Sequence, residues 1–354
     1  MRECGRLGTT QPSFEVAAQT LQRLGRVGIS DSTVWRNHKE VTLQLEGALE
    51  REQEIPPYVR QEDIPAMEWV PAQERIETHA SVSIDGVKVL LRDDGYREVK
   101  IVSVSEVMGQ TGEGIEPGAM TGTACGEDQI AEEGQEGRLR EKVKLKRHSY
   151  RAILGDKATF IPALKAELAC RRVRQADKIS AVNDGAEWIW DLVETYLPGR
   201  TIEILDWPHA MQNLAKAGKA GWGEGTEEAR AWLEQRRAEL WDGNLVQVRI
   251  GLDELPRRYK ERGTAIRQVR DYIDQHWHRM QYDCFRAEGR PIGSGTVESA
   301  AKNVVSWRMK RGGQRWSEGG ATRMLAALGE VHSNRWDTRV HRLARPPEAT
   351  HPKS

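Results

Sequence analysis

The sequence predicts an α/β chain: a mixed sheet flanked by helices, with a helix-turn-helix region before it and a long helical stretch running through its second half. Three observations carry this. Short apolar or alternating runs bounded by turn residues recur between positions 79 and 205. The last of them alternate with helical patterns as β-α-β-α-β. After Asp206 the pattern stays helical to about Cys284, rich in Glu, Arg, Leu and Trp.

Residues 13–41 (SFEVAAQTLQRLGRVGISDSTVWRNHKEV) put Val16, Ala17, Leu21 and Leu24 at helical spacing, then Gly25 and Gly28, then a second helical stretch. Ser30 or Asp31 is suited to cap that second helix by accepting from its free amides. Two readings stand side by side. One is a helix-turn-helix whose Ser32, Thr33, Arg36, Asn37, His38 and Lys39 face phosphates or base edges; the other is a helical hairpin that only packs on its neighbours. Residues 1–50 delimit this region. An exposed helix beginning near residue 42 leads into a Pro- and Glu-rich linker, 51–77, where four prolines exclude regular helix and mark a domain boundary.

From His79 the alternation of Val82 and Ile84, then Val87 and Val89, predicts a strand interrupted or bent at Asp85-Gly86. Residues 99–107 and 149–154 predict two more strands. The Gly- and Glu-rich stretch 108–137 between them reads as a mobile insertion loop. A helix over 157–175, a strand over 178–183, a helix over 186–196 and a strand over 202–205 follow. Beyond the helical stretch lie a Gly-rich turn at 290–295, a helix from Val297 to about Lys310, a helix over about 317–333, and a tail from 336 that is disordered after Leu343.

Composition excludes several classes. There are 53 Lys+Arg and 53 Asp+Glu, so no uniformly basic coat exists, but the charges are unevenly placed. Residues 101–137 hold eight acids and no base, whereas 138–151 hold seven bases and one acid; that basic run both suits phosphate contact and leads into a strand. Cys4, Cys125, Cys170 and Cys284 stand far apart without zinc-ligand spacing, which predicts reduced thiols. No run of eighteen apolar residues and no signal-peptide core appear, so a cytoplasmic location and no membrane partner are expected. Nucleotide-binding loops (GxGxxG or GxxxxGK) and a nucleophile elbow are missing, which argues against a general non-DNA enzyme.

Asp85 and Asp184 share a local design, an apolar strand followed at once by Asp-Gly, which is expected to end each strand at a sheet edge where ligand sites gather. Glu298 follows GSG at a helix start, where the dipole keeps a carboxylate ionised. Singly each is ordinary, since Asp-Gly is a common turn and an acid in a first helical turn is common dipole complementation. Their order raises the interest. Three converging carboxylates suit hard divalent cations, and two such ions about 3.5–4 Å apart serve phosphodiester transfer.

The segments VNDGAEWIWDLVETYLPGRTIEILDWPHAMQNL (182–214) and GSGTVESAAKNVVSWRMKRGGQRW (293–316) resemble the ISKra-type bacterial insertion-sequence transposases, relatives of the eukaryotic Mutator-like transposases, over about residues 78–328. The resemblance implies a DDE enzyme with a ribonuclease H-like catalytic core in two parts, 78–214 and 289–335, separated by an all-helical insertion at 215–288, with 336–354 as tail. It implies Asp85, Asp184 and Glu298 as catalytic acids and ligands of two Mg²⁺ ions, for which Mn²⁺ is able to substitute. It also implies double-stranded DNA, both transposon ends and target, as partner, and at least a homodimer on that DNA, in a bacterial cytoplasm and at the nucleoid when bound.

Asp206 and His209 form a DxxH after the strand over 202–205 and rank as second-tier members of the site, since related transposases carry similar pairs. Two readings are open: His209 as a partner of a phosphate, a water or a carboxylate, or a plain helix start with Asp206 as N-cap and Pro208 in the first turn. Of Trp188 and Trp190, two apart on one helix, one is expected in the core and one at the cleft. Lys302, Arg308, Lys310, Arg311 and Arg315, five cations with no acid among residues 301–316, are expected to contact DNA beside Glu298. Two features depart from the family: the acidic loop 108–137, and an amino terminus shorter than is usual, which predicts a truncated or misassigned start. Two alternatives to a transposase are a nuclease of the same fold without strand transfer and a decayed transposase that only binds DNA.

Overall fold

A computed structural model describes residues 1–53, 75–108, 143–256, 260–295, 297 and 301–343. The linker over 54–74, the acidic loop over 109–142 and the end of the chain from 344 lie outside the described residues, as does Glu298.

Five strands form one mixed sheet: β1 (His79–Leu90), β2 (Tyr96–Met108), β3 (Lys144–Leu154), β4 (Lys178–Asn183) and β5 (Ile202–Leu205), in the order β3-β2-β1-β4-β5. The first three pair antiparallel, while β4 lies parallel to β1 and β5 parallel to β4. A five-residue link joins β1 to β2, residues 109–143 join β2 to β3, and a helix carries each parallel crossover. α4 (Lys157–Cys170) joins β3 to β4, and α5 (Glu187–Tyr196) joins β4 to β5.

The sheet is apolar on both faces because each face is covered. Val82, Ile84, Val102 and Val104 point to one side, against Phe160 and Leu164 of α4 and Ile189 and Leu192 of α5. The same core continues into five helices, α6 (Trp207–Trp222), α7 (Glu227–Trp241), α8 (Leu245–Asp253), α9 (Lys260–Gln275) and α10 (Tyr282–Ala287). Val87, Val89, Val99 and Ile101 point to the other side. There they meet Val304 and Val305 of a π-helical stretch, Ala301–Ser306, and Met309 of the short helix α11 (Trp307–Met309), together with Met324, Leu325 and Leu328 of α12 (Glu318–His332).

Three amino-terminal helices, α1 (Arg2–Thr10), α2 (Phe14–Gly25) and α3 (Asp31–Gln53), precede the sheet. Ser13 caps α2 by accepting from the Val16 amide, and Ser30 accepts from the Thr33 amide at the start of α3. The turn between α2 and α3 is opened by Arg26 in the left-handed region, φ 53°, one residue after the glycine at which a turn is expected. α3 departs from expectation beyond residue 41: it is not an exposed helix. Val41, Leu45 and Leu49 are buried against Ala327 of α12 and Trp336 and Val340 of α13 (Trp336–Leu343).

Other elements depart too. Residues 336–343 form a helix rather than a tail, because Trp336 is the apolar plug of that small core. Residues 2–10 are helical, with Cys4 buried beside Ala17 and Val34. The helix after β3 stops at Cys170 and not near residue 175, since Arg172 turns the chain at φ 53°. β3 begins at Lys144, which places much of the basic run 138–151 in a strand paired with β2. α6 runs unbroken across position 214, so the helical stretch begins directly after β5.

Candidate active site at the end of β4

β1 is continuous through Asp85-Gly86, and its ladder to β2 holds there, Asp85 opposite Ile101 and Gly86 opposite Lys100. The expectation that Asp85 ends or bends a strand is therefore corrected: a strand with a full antiparallel partner has no reason to stop at glycine. The edge exists on the other side only. β1 pairs β4 in register from His79–Lys178 to Val82–Ala181, after which β4 runs out at Asn183. The same register carried forward sets Asp85 opposite Asp184. Beyond Val82–Ala181 the backbone ladder stops, and the Asn183 side chain takes its place. Its Oδ1 accepts from the Ile84 amide at 2.6 Å.

Asp85 shares its face of β1 with Val87 and Val89, the face covered by Val297, Val304 and Val305. Its Oδ1 accepts from the Gly86 amide at 2.6 Å. Asp184 accepts from the Ala186 amide at 3.0 Å, an Asx turn that leads into α5. Both carboxylates are partly exposed. Extended register sets Asp85 level with Asp184 beyond the last paired residues; Glu298, the third expected acid, lies outside the described residues, although Val297 before it is buried against the Asp85 face.

Asp206 is fully buried at the end of β5, next to β4. Its Oδ2 accepts from the His209 amide at 3.2 Å and from Nδ1 of His209 at 2.7 Å, and its Oδ1 accepts from the Ser294 amide at 2.5 Å. Its own amide donates to the Asn183 carbonyl, and the Trp207 amide donates to the Ile292 carbonyl. Asp206 is thus an N-cap, as one of its two readings has it, and also a knot. It fastens the GSG turn, through Ser294, to the end of β4 beside Asp184. His209 is the carboxylate's partner.

Several neighbours escape sequence reasoning. Tyr272 of α9 sits on Gly185, where a Cβ would overlap its ring. Burial, with Asp184 and Asp206 adding to it, pushes the Tyr272 hydroxyl well above its ordinary range, so it stays protonated as a donor. Lys100 donates to Glu98 at 2.8 Å and lies 3.9 Å over the Trp188 ring, beside Gly86. Trp190 is in the core, with Arg279 against its face, while Trp188 is half-buried. Only Asn183, adjacent to Asp184 in a strand where a polar residue is out of place, offered a signal.

The expected DNA-contact residues fall in two places. Ser32, Arg36 and Lys39 are exposed along the first turns of α3, with Thr33 and Asn37 half-buried. Lys302, Lys310, Arg311 and Arg315 are exposed around α11, but Arg308 is buried, 1% exposed, and donates to the Gly8 carbonyl at 3.2 Å. No group of three or more His, Cys, Asp or Glu side chains poised for a metal occurs among the described residues. Nor is any helix among them long and apolar enough to cross a membrane.

No family model matches the chain. A search of curated proteins likewise finds no match.

Proposed function

We propose that the chain is a metal-dependent DDE transposase that binds the terminal inverted repeats of an insertion sequence, nicks the DNA there and transfers the freed strand. The observation that carries this is the strand register: β1 and β4 run parallel and pair up to Val82–Ala181, and the same register extended sets Asp85 level with Asp184 just past the end of β4. An antiparallel meander joined to two parallel strands, with acids on β1 and after β4, supports a ribonuclease H-like reading of the sheet.

The donor set fits hard cations: two partly exposed carboxylates supply oxygen and no soft ligand. Asp85 and Asp184, with Glu298 as the third acid, would hold two Mg²⁺ ions, which supply activation of water or a 3′-hydroxyl and stabilise the leaving oxygen. The chain's own residues fix the geometry. Asn183 holds β1 at the end of β4, the Ala186 and Gly86 amides orient one oxygen of each acid, and Asp206 ties the 292–294 loop to the same sheet end. Tyr272 covers the Gly185 backbone. Two element ends joined in one event call for at least two copies of the chain on double-stranded DNA.

The test is a plasmid carrying the repeats that flank the gene, incubated with Mg²⁺ and the parent chain, an Asp184→Asn variant or EDTA. Cuts at the repeat ends that need metal and Asp184, followed by joined products, are expected, with a loss of at least a hundredfold in the variant. Nicks without joining indicate a nuclease. DNA binding without any cut, unchanged in the variant, indicates a decayed transposase.

A further inference from the structure

A cleft of about 480 Å³, lined by none of Asp85, Asp184, Asp206 or Tyr272, lies between the amino-terminal helices and the segment that follows α11. It is a built feature. The Trp316 amide donates to the Leu90 carbonyl, and the Arg92 amide donates to the Trp316 carbonyl, so residues 313–316 are zipped onto the end of β1. Gln314 reaches across to the Pro12 carbonyl and Arg308 to the Gly8 carbonyl, which fixes α1 and the start of α2 as the opposite wall.

The walls are cationic. Arg92, Arg308, Arg315, Arg323 and Lys39 all line the cleft, and no acid does. Of these cations, Arg323 has a carboxylate partner in Glu46, at 3.9 Å. Arg308 forms the floor. It is a buried cation whose only hydrogen bond is to a carbonyl, with Nε unsatisfied and no carboxylate against it among the described residues. Burial and then the nearby Arg311 pull it down to about 10. A buried unpaired charge is costly, and the missing counter-charge defines what the cleft lacks: an anion. The other wall is aromatic. Trp35 on α3 is 47% exposed at the rim, with Lys39 5.5 Å from its ring, and Phe14 and Trp316 lie deeper against Arg308.

We infer that this cleft binds a single nucleotide unit of a DNA strand, its phosphate held by Arg92 and Arg315 above the Arg308 floor and its base against Trp35. The inference rests on the DNA-acting reading above and adds the site. The volume is that of a small-molecule pocket, roughly 300–1,000 Å³, which admits one nucleotide and excludes a duplex. Cations that track a backbone beside an exposed aromatic face are the general design for unpaired strands.

The experiment uses the full chain with a short oligodeoxythymidine and, separately, inorganic polyphosphate of matched charge. Tryptophan fluorescence and the salt dependence of binding are followed. Arg92 and Arg315 are exposed, so the double variant R92A/R315A is expected to keep the fold, to bind the oligonucleotide about tenfold or more weakly and to lower the salt slope by about 1–2. W35A is expected to weaken the oligonucleotide about fivefold or more and leave polyphosphate unchanged. Binding by R92A/R315A equal to the parent overturns the inference, as does equal oligonucleotide binding by W35A or polyphosphate binding as tight as the oligonucleotide. Failure of the two readings is separable. A parent that binds through Arg92 and Arg315 but never cuts sinks the transposase and leaves the cleft, while cutting with binding untouched in R92A/R315A does the reverse.

Discussion

His79 shows how single side chains on this sheet are tuned. Its Nε2 lies 2.8 Å from Ser180 Oγ, and burial first, then Arg290 and Lys178, bring it down to about 4. The folded chain therefore keeps His79 neutral while the unfolded chain takes up a proton below about 6.5, so stability rises with pH between about 4 and 6.5 and is lost on acidification through that window. His38, pulled down to about 3 by burial and the nearby Arg308 and Arg323, acts in the same sense. Thermal unfolding followed from pH 7 to 4.5 is expected to lose on the order of 2 kcal/mol per such histidine, and His79→Gln is expected to flatten the profile. Gly185 is the second case at this scale. Gly185→Ala forces the Tyr272 ring off the Asp184 turn, with an expected cost of about 1–3 kcal/mol. Truncating Tyr272 in the same chain is expected to recover part of that cost in a double-mutant cycle.

At the scale of elements, the contact between α3, β3, α4, α12 and α13 is ionic and buried. Glu167 and Glu330 are fully buried and Glu52 nearly so, and they meet Arg151, Arg335 and Arg339. Arg335 grips Glu167 with two bonds of 3.1 Å, one to each oxygen. Burial alone would raise Glu167, but Arg335 and Arg151 more than offset it and hold its carboxyl below the usual range. Arg335→Met leaves Glu167 and Glu330 under-compensated, and denaturant unfolding is expected to show a loss of about 3–5 kcal/mol. None of this was legible in the sequence, because each partner reads as an ordinary surface charge on its own helix, strand or turn until the other elements arrive. The strands and the two crossover helices were legible, since their apolar runs had turn residues at both ends. Asp85 misled for the same reason: Asp-Gly signals a turn locally, yet pairing with β2 across eleven positions outweighs it. The strand end before Asp184 read correctly, because β4 has no ladder beyond Asn183. The cleft was half legible, as two basic segments whose meeting depended on contacts far apart in the chain.

At the scale of the whole molecule, the amino-terminal helices are not a detachable module. Val41, Leu45 and Leu49 share one core with α12 and α13, and α12 also packs on the sheet. A chain lacking residues 1–53 would bare that core and strip Arg339 and Arg151 of Glu52. Such a truncation is expected to unfold without a cooperative transition or to aggregate, whereas a modular helix-turn-helix would leave a stable remainder; calorimetry of the two chains decides between them.

That shared core also sets an order of events on the ribosome. α3 emerges early, but the surface that covers Leu45 belongs to α12 and α13, which are made last among the described elements. Until those helices are made, the apolar stripe of α3 has no native cover, and exposed apolar surface of that kind favours aggregation during folding. The small core around Leu45 therefore closes only after Trp336 and Val340 have been made.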